Sequence, residues 1–189
     1  MKLKPNTKVG LLGGSFNPAH DGHLHISELA LQKLDLDHVV WLVSPQNPLK
    51  TLDVSDTLAE RVEYAKTIAT NPKILVSDIE KNFGSTYTYN TIIELKKLYP
   101  EVEFYWLMGA DNMVQFPKWH QWEDIIKNVK LCVFDRDDYA KAALSGEVAQ
   151  KYYGKVIWGD ERIDGEYDWL YFMAGKNPTS STQIRNAGR

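Results

Sequence analysis

Short apolar runs alternate with helix-spaced patterns along almost the whole chain, and this alternation restricts the fold more than any other feature. Residues 9–12, 39–43, 74–76, 102–108, 131–134, 156–158 and 169–173 read as strands. The run Val39-Val40-Trp41-Leu42-Val43 is apolar without interruption, as expected of a parallel strand covered on both faces. Between the runs, three sets recur at helical spacing: Leu24, Ile26, Leu29, Ala30 and Leu34; Leu58, Val62, Ala65, Ile68 and Ala69; Ile92, Ile93, Leu95 and Leu98. Ser55 or Asp56 is expected to cap the second of these helices, and Asn71-Pro72 to stop it. Residues 139–148 read as one helix, and a polar helix follows from Ser180. The pattern predicts the α/β class with a doubly wound parallel sheet, in one domain spanning residues 1–189.

Composition agrees with a folded domain and narrows its partners. With 189 residues, 43% hydrophobic and 25% charged, the chain can bury a proper core. The net charge of −3 is spread along the sequence, so no nucleic-acid partner is expected, since that would need a concentrated basic patch. No apolar run is long enough to span a membrane, and Met1-Lys2-Leu3-Lys4-Pro5 lacks the core of a signal peptide. The single cysteine, Cys132, sits in an apolar run and reads as a buried structural thiol. A cytoplasmic protein is the simplest expectation.

In a doubly wound sheet, ligands bind beyond the strand C-termini. Four unusual stretches fall there: Gly13 to His23, Ser44 to Lys50, Gly109-Ala110-Asp111, and the approach to Ser180. The first runs from strand through Gly13-Gly14 and Asn17-Pro18 into a helix, the layout that brings backbone N–H groups to a phosphate. It is neither a Walker loop nor a Gly-x-Gly-x-x-Gly fingerprint. Instead it carries His20 and His23, three apart at a helix start, where they can face the same way. Such imidazoles could donate hydrogen bonds or positive charge to phosphate oxygens. Two other readings of the residues stand: a capped surface turn, and a metal site formed by His20, Asp21, His23 and His25. His25 falls off the motif and is expected to face solvent. At the far end, Ser180-Ser181-Thr182 with Arg185 one turn on makes an anion site or simply a capped helix. Of the six tryptophans, Trp41, Trp106, Trp158 and Trp169 lie inside apolar runs and are expected in the core.

The eleven-residue stretch Gly-Gly-Ser-Phe-Asn-Pro-Ala-His-Asp-Gly-His resembles the signature of the nucleotidylyltransferase superfamily, and its nicotinate-nucleotide adenylyltransferase branch in particular. Four further segments are similar to that branch and follow in its order. They are Asn47-Pro48-Leu49-Lys50, Thr86-Tyr87-Thr88, Gly109-Ala110-Asp111 with Trp119-His120-Gln121-Trp122, and Ser180 to Arg185. Leu49, Asn90 and Thr179 depart from the usual pattern.

The resemblance implies a Rossmann-like nucleotidylyltransferase fold and adenylyl transfer from ATP to nicotinate mononucleotide, with Mg²⁺ arriving on ATP. It implies His20, His23 and Arg185 as catalytic. It implies Gly13, Ser15, Phe16, His20, His23, Gly109, Asp111, Ser180, Ser181, Thr182 and Arg185 as ATP contacts. Gly14, Ser15, Lys50, Thr86, Tyr87, Thr88 and Trp119 would meet the mononucleotide, with Trp119 stacking on the pyridine. Nicotinamide mononucleotide, phosphopantetheine, a non-catalytic nucleotide sensor and a metal hydrolase are the alternatives. A homo-oligomer is compatible with all of them.

Overall fold

The computed structural model describes residues 1–45, 56–136 and 139–173. Among these residues, seven strands form one sheet in the order β3-β2-β1-β4-β5-β7-β6. They are β1 (Lys8–Gly14), β2 (His38–Val43), β3 (Ile74–Ser77), β4 (Glu103–Gly109), β5 (Lys130–Phe134), β6 (Gly154–Trp158) and β7 (Trp169–Met173). All six pairings are parallel. The chain winds outward from β1 to β3, returns to place β4 against the other side of β1, and winds outward again. The β1/β4 boundary is therefore the switch point at which such sheets open a crevice.

Side chains alternate between two cores, as the period of two requires. Val9, Leu11, Val40, Leu42, Trp106, Met108, Leu131, Val133 and Tyr171 face one side. There they meet α3 (Thr88–Leu98), α4 (Ala110–Gln115) and α5 (Trp122–Asn128). Val39, Trp41, Val43, Leu107, Cys132 and Phe134 face the other, under α1 (Asp21–Lys33) and α2 (Leu58–Ile68). Helices on both faces complete a doubly wound α/β fold. Cys132 is fully buried and burial pushes its thiol well above the ordinary range, so its role is packing.

Four expectations need correction. The cap of α2 is Thr57, because Thr57 and Glu60 form a reciprocal capping box: Glu60 N donates to Thr57 Oγ1, and Thr57 N to the Glu60 carboxylate. Ser55 lies outside the described residues. The helix expected over 139–148 is two, α6 (Ala140–Leu144) and α7 (Glu147–Lys151). Ser145-Gly146 separates them, and the Ser145 hydroxyl turns back onto the Lys141 carbonyl. Trp158 is 63% exposed, because it ends the edge strand β6 and no element among the described residues covers it. His25 is half-buried, with its Nε2 shielded from solvent and unpartnered among the described residues. Trp41, Trp106 and Trp169 are buried as expected.

Candidate active site

β1 runs on through both glycines, so Gly13 and Gly14 still pair with Leu42 and Val43 of β2. A side chain at Gly13 would have no room: an added Cβ would lie 2.7 Å from Cη2 of Trp106. Glycine here lets the Trp106 indole lie against the strand end. Ser15 and Phe16 then turn the chain, Phe16 with a left-handed φ of 46°. The Phe16 ring is 1% exposed, stacked 5.2 Å from Trp41 and tilted 4.6 Å from His23. The Phe16 ring, implied by the resemblance as an ATP contact, is thus buried against Trp41 and supports the histidine.

The two histidines build their own helix start. His20 is the N-cap of α1, and its Nδ1 accepts from Gly22 N at 3.1 Å. His23 Nδ1 accepts from His20 N at 3.2 Å. This is a capping box made with imidazoles, and the ring centroids are 3.9 Å apart. An Nδ1 that accepts cannot carry the proton, so each neutral ring bears it on Nε2 and offers an N–H donor there. His20 is 8% exposed. Burial foremost, and then the positive charge of Arg136, lower its pKa to about 4 against the pull of Asp21. His20 is therefore a neutral donor near pH 7, and of the two roles open to it only hydrogen-bond donation fits.

This geometry predicts an acid-sensitive cap. The unfolded chain binds a proton at His20 near pH 6.5, the folded chain only near 4. Stability is fully present above pH 6.5 and falls as pH drops toward 4, by an amount on the order of 3 kcal/mol. Urea unfolding across this range should show a smaller loss in His20→Asn, which keeps a capping oxygen without the titration. Equal slopes in both proteins would remove His20 from the account.

Across the β1/β4 crevice, Asp111 leaves the end of β4 in the first turn of α4. Arg136 Nη1 approaches its two carboxylate oxygens at 3.4 and 3.3 Å. A Cβ on Gly109 would lie 2.5 Å from Asp111 Oδ1 and 3.4 Å from Arg136 Cδ, so glycine is needed for this pair to sit over the strand end. Arg136 follows β5 by two residues and was not among the residues singled out from sequence. Its signal was a charged side chain just beyond a parallel strand's C-terminus, the same signal that marks Asp111.

The sequence's other segments gather on the Trp106 face. Trp119 packs edge-on to Trp106 at 6.3 Å and against Phe116 at 5.2 Å, half-buried rather than standing clear. Tyr87 lies 4.6 Å from His120, which joins the Thr86-Tyr87-Thr88 segment to the Trp119 loop. Tyr87 is the N-cap of α3, Thr88 its first residue, and no side chain caps it. Asn90 does not serve as cap; its Nδ2 donates to Ser85 Oγ at 2.7 Å. Arg136 acts on His20, so the histidines and the Asp111–Arg136 pair are neighbours, while Gly13 meets Trp106, Trp119 packs on Trp106, and His120 beside it meets Tyr87. Lys50, Ser180, Ser181, Thr182 and Arg185 lie outside the described residues. Among the described residues no three His, Cys, Asp or Glu side chains cluster as metal ligands, and no helix is long and apolar enough to cross a membrane.

A parallel sheet with a glycine strand end and two imidazole donors at its switch point defines a nucleotide-binding α/β protein of the nucleotidylyltransferase kind. The chain belongs to the cytidylyltransferase-like family, whose model matches residues 11–187. It is 49% identical over 144 residues to the "Probable nicotinate-nucleotide adenylyltransferase" of Parvibaculum lavamentivorans, covering 76% of this chain and 72% of that one. It is 40% identical over 183 residues to the protein of the same name from a Caulobacter species, covering 94% and 96%. Among solved structures, the nicotinic acid mononucleotide adenylyltransferase of Plasmodium falciparum complexed with NaAD superposes with a TM-score of 0.71. The match covers 95% of this chain and 83% of that one at 17% identity, which is a likeness of fold.

Proposed function

We infer that the protein transfers the adenylyl group of ATP to nicotinate mononucleotide, giving deamido-NAD and pyrophosphate in NAD biosynthesis. The observation that carries this reading is the imidazole capping box, which sets two imidazoles side by side at a helix N-terminus just beyond the end of β1. A phosphate oxygen of the mononucleotide forms a bond to the ATP α-phosphorus. The bond from that phosphorus to the α,β-bridging oxygen breaks, and pyrophosphate leaves with the electron pair. The nucleophile is ionised at pH 7, so no serine or cysteine nucleophile and no strong base is needed.

The protein's contribution is positioning and charge stabilisation. His20 and His23 donate to phosphate oxygens as charge builds on them. Arg136, together with Lys50 and Arg185, holds the phosphate chain. Gly13, Gly109, Asp111 and the Ser180-Ser181-Thr182 hydroxyls meet ATP, Ser15 meets both substrates, and Gly14, Thr86 to Thr88 and Trp119 meet the mononucleotide. Mg²⁺ would neutralise phosphate charge. It takes one or two carboxylates besides phosphate and water, and the half-buried Asp111 carboxylate at the end of β4 fits that need.

Pyrophosphate release with ATP and Mg²⁺, measured in parallel with nicotinate and nicotinamide mononucleotide, tests the reading. A strong preference for the acid is expected. Preference for the amide would overturn the choice of acceptor, and silence with both would overturn the reaction.

A further inference from the structure

Arg61 occupies a position where the spacing of α2 asks for an apolar residue, between Leu58, Val62 and Ala65. It is 4% exposed. Its Nη1 donates to the main-chain carbonyls of Ser15 at 2.6 Å and Ser44 at 2.9 Å, and its Nη2 to that of Pro45 at 3.3 Å. Its Nε is buried without a partner among the described residues. Burial makes the guanidinium harder to keep charged, with Asp56 opposing. Where packing is the only demand, an apolar side chain fills such a place at less cost. The arginine therefore answers a demand for three directed donors.

The contacts extend beyond Arg61. Ser44 N donates to Gly14 O at 2.9 Å. The Ser44 hydroxyl is hydrogen-bonded to the Glu80 carboxylate, which is 6% exposed. Glu80 Oε1 also accepts from Thr91 Oγ1 at 2.8 Å, and Thr91 is buried in the first turns of α3. A continuous polar chain thus passes over the sheet edge, from α2 on one face to α3 on the other. It ties the end of β1, the exit of β2 and the start of α3. Gly14, Ser15 and Thr86 to Thr88 are the acceptor's contacts in the reaction proposed above. The histidines are oriented instead by the main chain of α1, and Asp111 by Arg136.

We propose that Arg61 is a positioning residue for the acceptor mononucleotide: with Ser44 and Glu80 it sets the spacing of the three segments that seat it. The inference rests on the adenylyl-transfer reading. If wild type releases no pyrophosphate with nicotinate mononucleotide, that reading fails first; the inference is then judged on variants of an active enzyme only.

The test is steady-state kinetics with each substrate varied in turn, for Arg61→Met, Arg61→Lys and Ser44→Ala, beside thermal melts. Arg61→Met is expected to raise the KM for the mononucleotide at least tenfold and to leave that for ATP within threefold. Lysine, a single-point donor that cannot span three carbonyls, should recover part of the loss. Ser44→Ala should move the same constant in the same direction. The double variant should then show less than the product of the two effects, as coupled partners do. A lower melting temperature with both KM values unchanged, or with both raised alike, would reduce Arg61 to structural support. If Arg61→Met fails to fold, an unchanged mononucleotide KM in Ser44→Ala and Arg61→Lys overturns the proposal.

Discussion

Replacing His23 with glutamine is expected to lower kcat by roughly 10²–10³, about 3–4 kcal/mol of transition-state stabilisation, and to leave ATP affinity within a few-fold. The choice of glutamine follows from the geometry. His23 is the third residue of α1, and its Nδ1 accepts from His20 N at 3.2 Å. Glutamine is a usual residue at this place in a capping box, so its side-chain oxygen can take over the acceptor role while the imidazole Nε2–H is lost. His23→Ala removes both, and carries in addition a stability loss of about 1 kcal/mol from the broken cap. Comparing the two variants separates chemistry from folding. The measurements are pyrophosphate release at saturating substrates and equilibrium titration of ATP. A large loss of ATP binding with normal turnover would show that His23 serves ground-state binding and not the transition state.

Much of this arrangement was legible in the sequence because parallel α/β folds write themselves in periodicity. Continuous apolar runs such as Val39 to Val43 are buried on both faces, and the rule that ligands sit beyond strand ends located Gly13, Asp111 and the histidines together. What the sequence concealed depends on partners distant in the chain. That Trp158 is exposed follows from β6 being the sheet's edge, and strand order is not contained in the hydrophobicity of the strand itself. That His20 stays neutral rests first on its burial and then on the charge of Arg136, more than a hundred residues away. Arg61 gave a signal of another kind: a charge on the apolar stripe of α2 has to be answered by buried acceptors. Helical spacing shows the conflict, but only the fold shows that the acceptors are the carbonyls of Ser15, Ser44 and Pro45.

Arg136→Met is expected to lower kcat/KM for ATP by roughly 10- to 100-fold, which corresponds to losing one charge-assisted hydrogen bond of about 1.5–3 kcal/mol. Its contacts with Asp111, at 3.3 and 3.4 Å, are long for an ion pair and use only Nη1 among the described residues, so the guanidinium keeps donors to offer a phosphate. The same charge is one of the two causes that hold His20 low, after burial. Removing it should therefore raise the His20 pKa above about 4, without bringing it to 6.5, because burial remains. Imidazole resonances followed by NMR across pH measure this directly. Arg136→Lys gives the complementary result: a cation near His20 keeps its pKa low, while the loss of the planar fork leaves activity only partly restored. An Arg136→Met enzyme with a shifted His20 but full kcat/KM would confine Arg136 to tuning its neighbour. Reduced kcat/KM with His20 unmoved would place its effect on the phosphate alone.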